Sequence, residues 1–236
     1  MKRSNSIECI ILLTAVMAFL AVPVWGNSIV GIHDWDTGTH GWSSRDGWVL
    51  TNRETAGGNP DGWLSITFTN LSSGAPGPHW FDTVSTSATN LFAGTWSTTN
   101  WIEFDFWASN REPREVQVRF SSTNDPNRIW RSTVFDTETD SLSLETWTPF
   151  TASFSNWEDW RVFSPGYTEA NYLADLDQID WIGVYIYRTT RFDQVYGIDN
   201  FALMIPEPVE VCMVVAAMIS STMSLRKKRR RKRSPG

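Results

Sequence analysis

Between residues 27 and 205 the sequence has no cysteine and no lysine. The two cysteines of the chain, Cys9 and Cys212, fall in apolar runs near its ends. The stretch between them therefore holds no disulfide, thiol nucleophile or thiolate zinc site, and its stability must come from burial, to which a bound cation could add. Lysine's absence leaves ten arginines there against 23 aspartates and glutamates, a formal charge near −13 that the whole-chain value of −6 conceals. A nucleic-acid binder needs a basic face to neutralise phosphates, so no nucleic-acid partner is expected. Histidine is scarce: His33, His40 and His79 all lie in the first third. No Gly-x-Ser-x-Gly elbow, phosphate loop or dinucleotide fingerprint occurs, and there is no internal repeat.

Long apolar stripes of helical period are missing as well. What recurs instead is alternation with period two, broken by Gly, Pro, Asn, Asp, Ser and Thr clusters. Trp63–Phe68 sets Leu64, Ile66 and Phe68 on one face. Ile102, Phe104 and Phe106 share another, with Trp101, Glu103, Asp105 and Trp107 opposite. Val116, Val118 and Phe120 alternate with Glu115, Gln117 and Arg119. Ile129–Phe135, Pro149–Phe154, Ile179–Tyr187 and Tyr196–Met204 complete the set. About ten short strands without helical connections predict an all-β fold, an antiparallel β-sandwich of jelly-roll type, as one domain over residues 27–205. One helical turn is expected around Tyr172–Leu176, and Ser85–Thr99 reads as a long surface loop.

The ends have a different character. Residues 1–26 place Lys2 and Arg3 before an apolar stretch from Cys9 to Val24, with Val24 and Gly26 at the −3 and −1 positions of a cleavage site. That is the layout of a secretory signal peptide, or else of an uncleaved anchor, and either exports the middle. At the other end Pro206-Glu207-Pro208 precedes an apolar run, Val209–Leu225, and a cationic cluster, Arg226–Arg233. A helical run of this length is at the lower limit for crossing a bilayer, and the cluster behind it would stay on the cytoplasmic side.

Residues 206–236, with their Pro-Glu-Pro motif, hydrophobic span and basic tail in that order, resemble the PEP-CTERM sorting signal of bacteria. The resemblance implies recognition by an exosortase, a membrane-embedded transpeptidase, with processing near Pro206-Glu207-Pro208. The protein would then be anchored through its C-terminal span before processing. Afterwards it would stay there or be released to a polysaccharide-rich surface or matrix.

The middle resembles carbohydrate-binding modules and galactose-binding-like jelly rolls in two places: the opening Asp34-Trp35-Asp36 with Gly41-Trp42, and the closing Tyr196-Gly197-Ile198-Asp199-Asn200-Phe201-Ala202-Leu203. This resemblance implies that the first and last strands are neighbours and that acidic residues there hold a structural calcium. Asp34, Asp36 and Asp199 are the expected ligands, with backbone carbonyls completing a shell of oxygens. Aspartates in such turns also serve simply as caps.

The middle carries 13 Trp, 12 Phe and 5 Tyr. Flat aromatic rings beside hydrogen-bonding groups suit the apolar C–H faces of sugars. Several of these aromatics fall on the polar side of their strands. Trp101, Trp107, Trp181, Tyr185 and Tyr187, with Gln117 and Arg119 between them, would form an aromatic groove if their strands line one sheet face. A tryptophan of a sandwich also commonly fills the core. Glu103 and Asp105 partly resemble the Glu-x-Asp-x-x-Glu strand of laminarinase-like glycosidases, in which paired carboxylates act. Trp107 and Ala108 stand where the third carboxylate would fall. The reading is a non-catalytic exported protein that binds a glycan or exopolysaccharide. A structural matrix protein and a glycosidase using Glu103 and Asp105 are the alternatives.

Overall fold

The computed structural model describes residues 27–44, 49–68, 79–83, 91–163, 165–188 and 192–206. By its internal contacts the chain divides into two units: Ser28–Ile205, and the two ends, Met1–Asn27 with Pro206–Gly236. Apart from Asn27 and Pro206, the second unit lies outside the described residues. The predicted signal peptide, Glu207, Pro208, the apolar span and the basic tail all fall there. Among the described residues no helix is long and apolar enough to cross a membrane.

Ser28–Ile205 is a sandwich of two sheets. The first has the order β3 (Val49–Glu54), β4 (Trp63–Phe68), β11 (Gln194–Pro206), β6 (Trp101–Ala108) and β9 (Thr148–Ser153), and β1 (Asn27–His33) also pairs with β11. The second runs β2 (Trp42–Ser44), β5 (His79–Thr83), β10 (Ile179–Tyr187), β7 (Glu115–Ser122) and β8 (Ile129–Asp136). The β3–β4, β4–β11, β11–β6 and β6–β9 pairs are antiparallel, as are all neighbouring pairs of the second sheet. First and last strands are thus neighbours, and all seven runs found by alternation are strands.

Strand β6 follows the alternation residue by residue. Ile102, Phe104, Phe106 and Ala108 are buried, while Trp101, Glu103, Asp105 and Trp107 are half-buried on the other side. β-Branched and aromatic side chains suit this pleated, half-buried surface. Strand β7 departs from its pattern: beyond Val116, Val118 and Phe120, its polar residues Gln117, Arg119 and Ser121 are buried too. Neighbouring side chains cover that face, as described below.

The core is strongly aromatic. Phe120 lies within 6.5 Å, centroid to centroid, of Trp96, Trp130, Phe154, Trp160 and Tyr172. At the other end Phe201 meets Trp42, Phe92 and Phe104. Phe92 and Trp96 are buried, so the segment read as a surface loop over Ser85–Thr99 is anchored in the core where it is described. Among the described residues the one α-helix, α1 (Glu169–Leu176), is longer than the expected single turn. Thr168 caps it reciprocally with Asn171, and Tyr172 and Leu176, one turn apart, are buried.

Strand β11 carries a bulge. Asp199 pairs with Asp105 and Ala202 with Glu103, so β11 has one residue more than β6 over this stretch. Asn200, inside the bulge, has φ 50°, a left-handed conformation that asparagine tolerates better than most residues.

Candidate functional site

The outward face of the second sheet is built on β10 and β7. Registry places Tyr185 beside Gln117, Gly183 beside Arg119, Trp181 beside Ser121 and Tyr187 beside Glu115. The Arg119 guanidinium lies 3.7 Å from the centre of the Tyr185 ring. It also donates from Nε and Nη2 to Gln117 Oε1, at 2.9 and 2.7 Å. Gln117 in turn donates to Glu115, which also accepts from Thr133 Oγ1 at 2.6 Å. These contacts account for the burial of Gln117 and Arg119 on β7. Burial pushes the Tyr185 hydroxyl above its ordinary pKa, and Arg119 opposes the shift.

A loop adds to this face from the side. Arg131 of β8 exchanges backbone hydrogen bonds of 2.9 Å with Arg161, extending the sheet by one isolated bridge. Two residues on, Phe163 is 68% exposed, with Arg131 3.8 Å and Arg119 5.7 Å from its ring centre. Guanidinium stacking on ring faces is favourable and fixes ring orientation. Phe163 and Arg131 were not singled out from the sequence: Phe163 lies outside any alternating run, and only the bridge at Arg161 brings it to the sheet. Beside them is a pocket of about 710 Å³ whose walls include Glu115, Gln117, Arg131, Thr133, Thr151 and Arg161.

Trp101 and Trp107 do not join this face. They lie on β6, in the first sheet, pointing away from a core that both sheets share. The expected single groove uniting Trp101 and Trp107 with Trp181, Tyr185 and Tyr187 does not form, because the two groups lie on different sheets. Only Gln117, Arg119, Trp181, Tyr185 and Tyr187 share a face.

The outward face of the first sheet has its own aromatic group. Trp63, Trp107 and Trp147 have ring centres 5.6, 5.7 and 6.4 Å apart, and all three are half-buried. Trp63 donates its indole N–H to Ala56 O and Trp147 to Gly57 O, both at 3.0 Å. Beneath them is Gly197, where a Cβ would come within 2.8 Å of both the Trp63 and Trp147 rings, so this position admits only glycine without displacement. Along β6, Trp101 donates to Glu103 Oε1 at 2.7 Å. Asp105 Oδ2 accepts from Asn200 Nδ2 at 2.9 Å and from Asn59 Nδ2 at 3.2 Å.

The three aspartates expected to hold calcium are not equivalent. Asp34 turns back to accept the Asp36 amide at 3.1 Å, a local cap. Asp199 is buried and accepts the amides of Asn59 at 2.5 Å and Asn200 at 2.7 Å. Burial pushes its carboxyl up to about 6; the two amides oppose this, and nearby Asp105 and Asp36 add to it. Among the described residues no group of three His, Cys, Asp or Glu side chains is placed to hold a metal ion, so the set of three does not assemble. Oxygens do converge around two glycines. A Cβ on Gly58 would stand 2.6–2.7 Å from Gly62 O, Asp61 O and Asp199 Oδ2, and one on Gly62 would stand 2.8 Å from Trp35 O and 3.2 Å from Asp36 Oδ1. Two carboxylates and several carbonyls suit calcium chemically, although Arg53 donates to the carbonyls of Trp35 and Asp36. His33 serves the core: its Nδ1 accepts the Trp42 indole N–H at 2.9 Å, and burial, then His40 stacked 4.5 Å away, hold its pKa down to about 4 against the pull of Asp34.

This fold is that of carbohydrate-binding-module jelly rolls. The solution structure of CtCBM11 matches 79% of this chain and 99% of its own length, at 18% identity and a TM-score of 0.51. Carbohydrate-binding modules of the β-sandwich superfamily, described as promiscuous in specificity, match 76% of this chain and 63% of theirs at 12% identity and a TM-score of 0.51. An exo-β-agarase matches 77% of this chain with 25% of its own, at 14% identity and a TM-score of 0.50. No protein-family model matches the sequence, and no curated protein matches it.

Proposed function

We propose that the domain is a non-catalytic polysaccharide-binding module whose ligand lies across the outward face of the second sheet. The observation that carries this is the stack of Tyr185, Arg119, Phe163 and Arg131, with Trp181 and Tyr187 along the same strand as Tyr185. Phe163, exposed and stacked by Arg131, takes the C–H face of a sugar ring at little entropic cost, while the buried Tyr185 ring holds Arg119 in place beside it. Half-buried Glu115 and exposed Thr133 offer hydroxyl-directed hydrogen bonds beside them, with Gln117 holding Arg119 and Glu115 in place. Jelly-roll carbohydrate-binding modules among the structural neighbours support the reading. The test is titration calorimetry of the purified protein against a panel of soluble neutral and anionic polysaccharides. Binding to at least one, weakened about tenfold or more by Tyr185→Ala and by Phe163→Ala, is the expected result. Equal binding by both variants would remove this face from the function.

The address of the protein is proposed from the sequence of its ends. Export by residues 1–26 and exosortase-type sorting through Pro206, Glu207 and Pro208 would place the domain at the cell surface or in the surrounding matrix. Mass spectrometry of the native C-terminus tests this: a chain ending near Pro206-Glu207-Pro208 is expected, and a mature protein ending at Gly236 contradicts processing.

A structural calcium is the third element. Asp36 and Asp199 would hold it with carbonyls of the Gly58–Gly62 turn, and the ion would supply charge that offsets the grouped carboxylates. Excess chelator should lower the melting temperature, and added calcium should restore it. A melting temperature indifferent to both excludes the ion.

A further inference from the structure

We infer that the outward face of the first sheet is a second, independent binding site, selective for an amino-sugar polymer that carries free ammonium groups. Four residues of β6 alternate onto this face in the order Trp101, Glu103, Asp105, Trp107. At roughly 3.3 Å per residue the two indoles stand about 20 Å apart along the strand, with the two carboxylates between them. Beside the carboxylates is a groove of about 460 Å³, whose lining includes Ile29, Ile32, Glu103, Asp105, Asn200 and Met204. At the Trp107 end, Trp63 and Trp147 widen the aromatic surface, their indole N–H groups tied to the 56–57 backbone and their rings seated over Gly197.

The charge of the groove selects the ligand. Glu103 and Asp105 are contacted by the indole of Trp101 and the amides of Asn59 and Asn200, all neutral donors. Among the described residues neither carboxylate has a cationic partner within ion-pair distance. Covering them with a neutral polyol would remove water from two charges in return for neutral hydrogen bonds. Covering them with an ammonium would form charge-assisted hydrogen bonds, which are about twice as strong. An anionic polymer would be repelled. The flanking tryptophans accept the C–H face of a pyranose and also attract an ammonium over their rings. A flexible basic peptide could satisfy the charges, but it would leave the flat indole shelves without rings to stack on them.

The test is calorimetry of the whole protein at low salt with three probes of equal length: a glucosamine oligomer, the N-acetylglucosamine oligomer and an oligolysine. The glucosamine oligomer should bind about tenfold or more tightly than its acetylated counterpart. Glu103→Gln, which keeps an acceptor for the Trp101 indole, should reduce that preference several-fold. Trp107→Ala should weaken both sugars about tenfold, and Tyr185→Ala should leave the preference for the amine intact. Equal affinity for the amine and its acetylated form overturns the inference. So does oligolysine binding as tightly as the glucosamine oligomer, or a folded Trp107→Ala protein that binds both sugars unchanged. Because Tyr185→Ala separates the two faces, failure here leaves the second-sheet site standing, and the reverse also holds.

Discussion

Asp175 supplies the sharpest test of how the second sheet is held. Its side chain is fully buried on α1 and accepts three hydrogen bonds: Ser122 Oγ at 2.7 Å, Trp130 Nε1 at 2.8 Å and Arg128 Nη1 at 2.9 Å. One carboxylate thus ties the helix to β7 and β8, the strands that carry Gln117, Arg119 and Arg131. In Asp175→Ala, Ser122 and Trp130 lose their acceptor in the interior, at about 1–3 kcal/mol for each unsatisfied group. Arg128 suffers less, since its side chain is 23% exposed and keeps Asp125 at 3.0 Å. The expected loss is about 3–5 kcal/mol, the range for breaking one side of a buried charged pair. For a domain of this size that corresponds to a fall in melting temperature of about 6–20 °C. Asp175→Asn should cost nearly as much, because its amide offers a single acceptor and turns donors towards donors. Differential scanning calorimetry reads the effect. A fall below about 2 °C for Asp175→Ala would show that aromatic packing alone docks the helix.

Three further substitutions probe other parts of the fold. Gly197→Ala drives a methyl into the Trp63 and Trp147 rings and should cost about 1–3 kcal/mol in chemical denaturation, with a change in tryptophan fluorescence. Gly58→Ala places a Cβ against two carbonyls and Asp199 Oδ2, so it should destabilise the protein similarly and abolish any calcium-dependent shift in melting temperature. Arg119→Lys keeps the charge but loses the paired donation to Gln117 and the flat contact with Tyr185. Polysaccharide affinity should fall about tenfold with little change in the salt dependence of binding, because the loss is one of shape.

Alternation exposed β6 and β10 in the sequence because each has one face in the core and one facing outward, so that polarity records the pleat. It did not expose β1, with its exposed Ile29, Val30 and Ile32, or the three-residue β2. On β7 the pattern located the strand but misjudged exposure. Gln117 and Arg119 look like solvent-facing residues until Tyr185 and Glu115 are placed against them. Sheet membership was the costlier gap. Trp107 and Tyr185 sit in similar local patterns, yet whether they meet depends on which strands pair across about eighty residues of chain, and no short-range pattern carries that.

The Asp199-Asn200 pair was legible as a motif, and its physical meaning lies in the bulge. An unbulged β11 would alternate these two side chains to opposite faces and leave the 58–62 turn without an anchor. The extra residue lets Asn200 take φ 50° and aim its amide at Asp105 and the Asn59 carbonyl, while Asp199 accepts the Asn59 and Asn200 backbone amides. Asn59 is therefore held from both residues, and it reaches Asp105 with its own amide as well. The same turn receives the indoles of Trp63 and Trp147 at Ala56 and Gly57. One irregularity in the last strand thus fixes the oxygen-lined turn and, through it, two of the three tryptophans grouped over Gly197. This coupling means that loss of calcium from the turn, if the ion is bound there, should be felt first at the Trp63–Trp107–Trp147 surface and last at Tyr185.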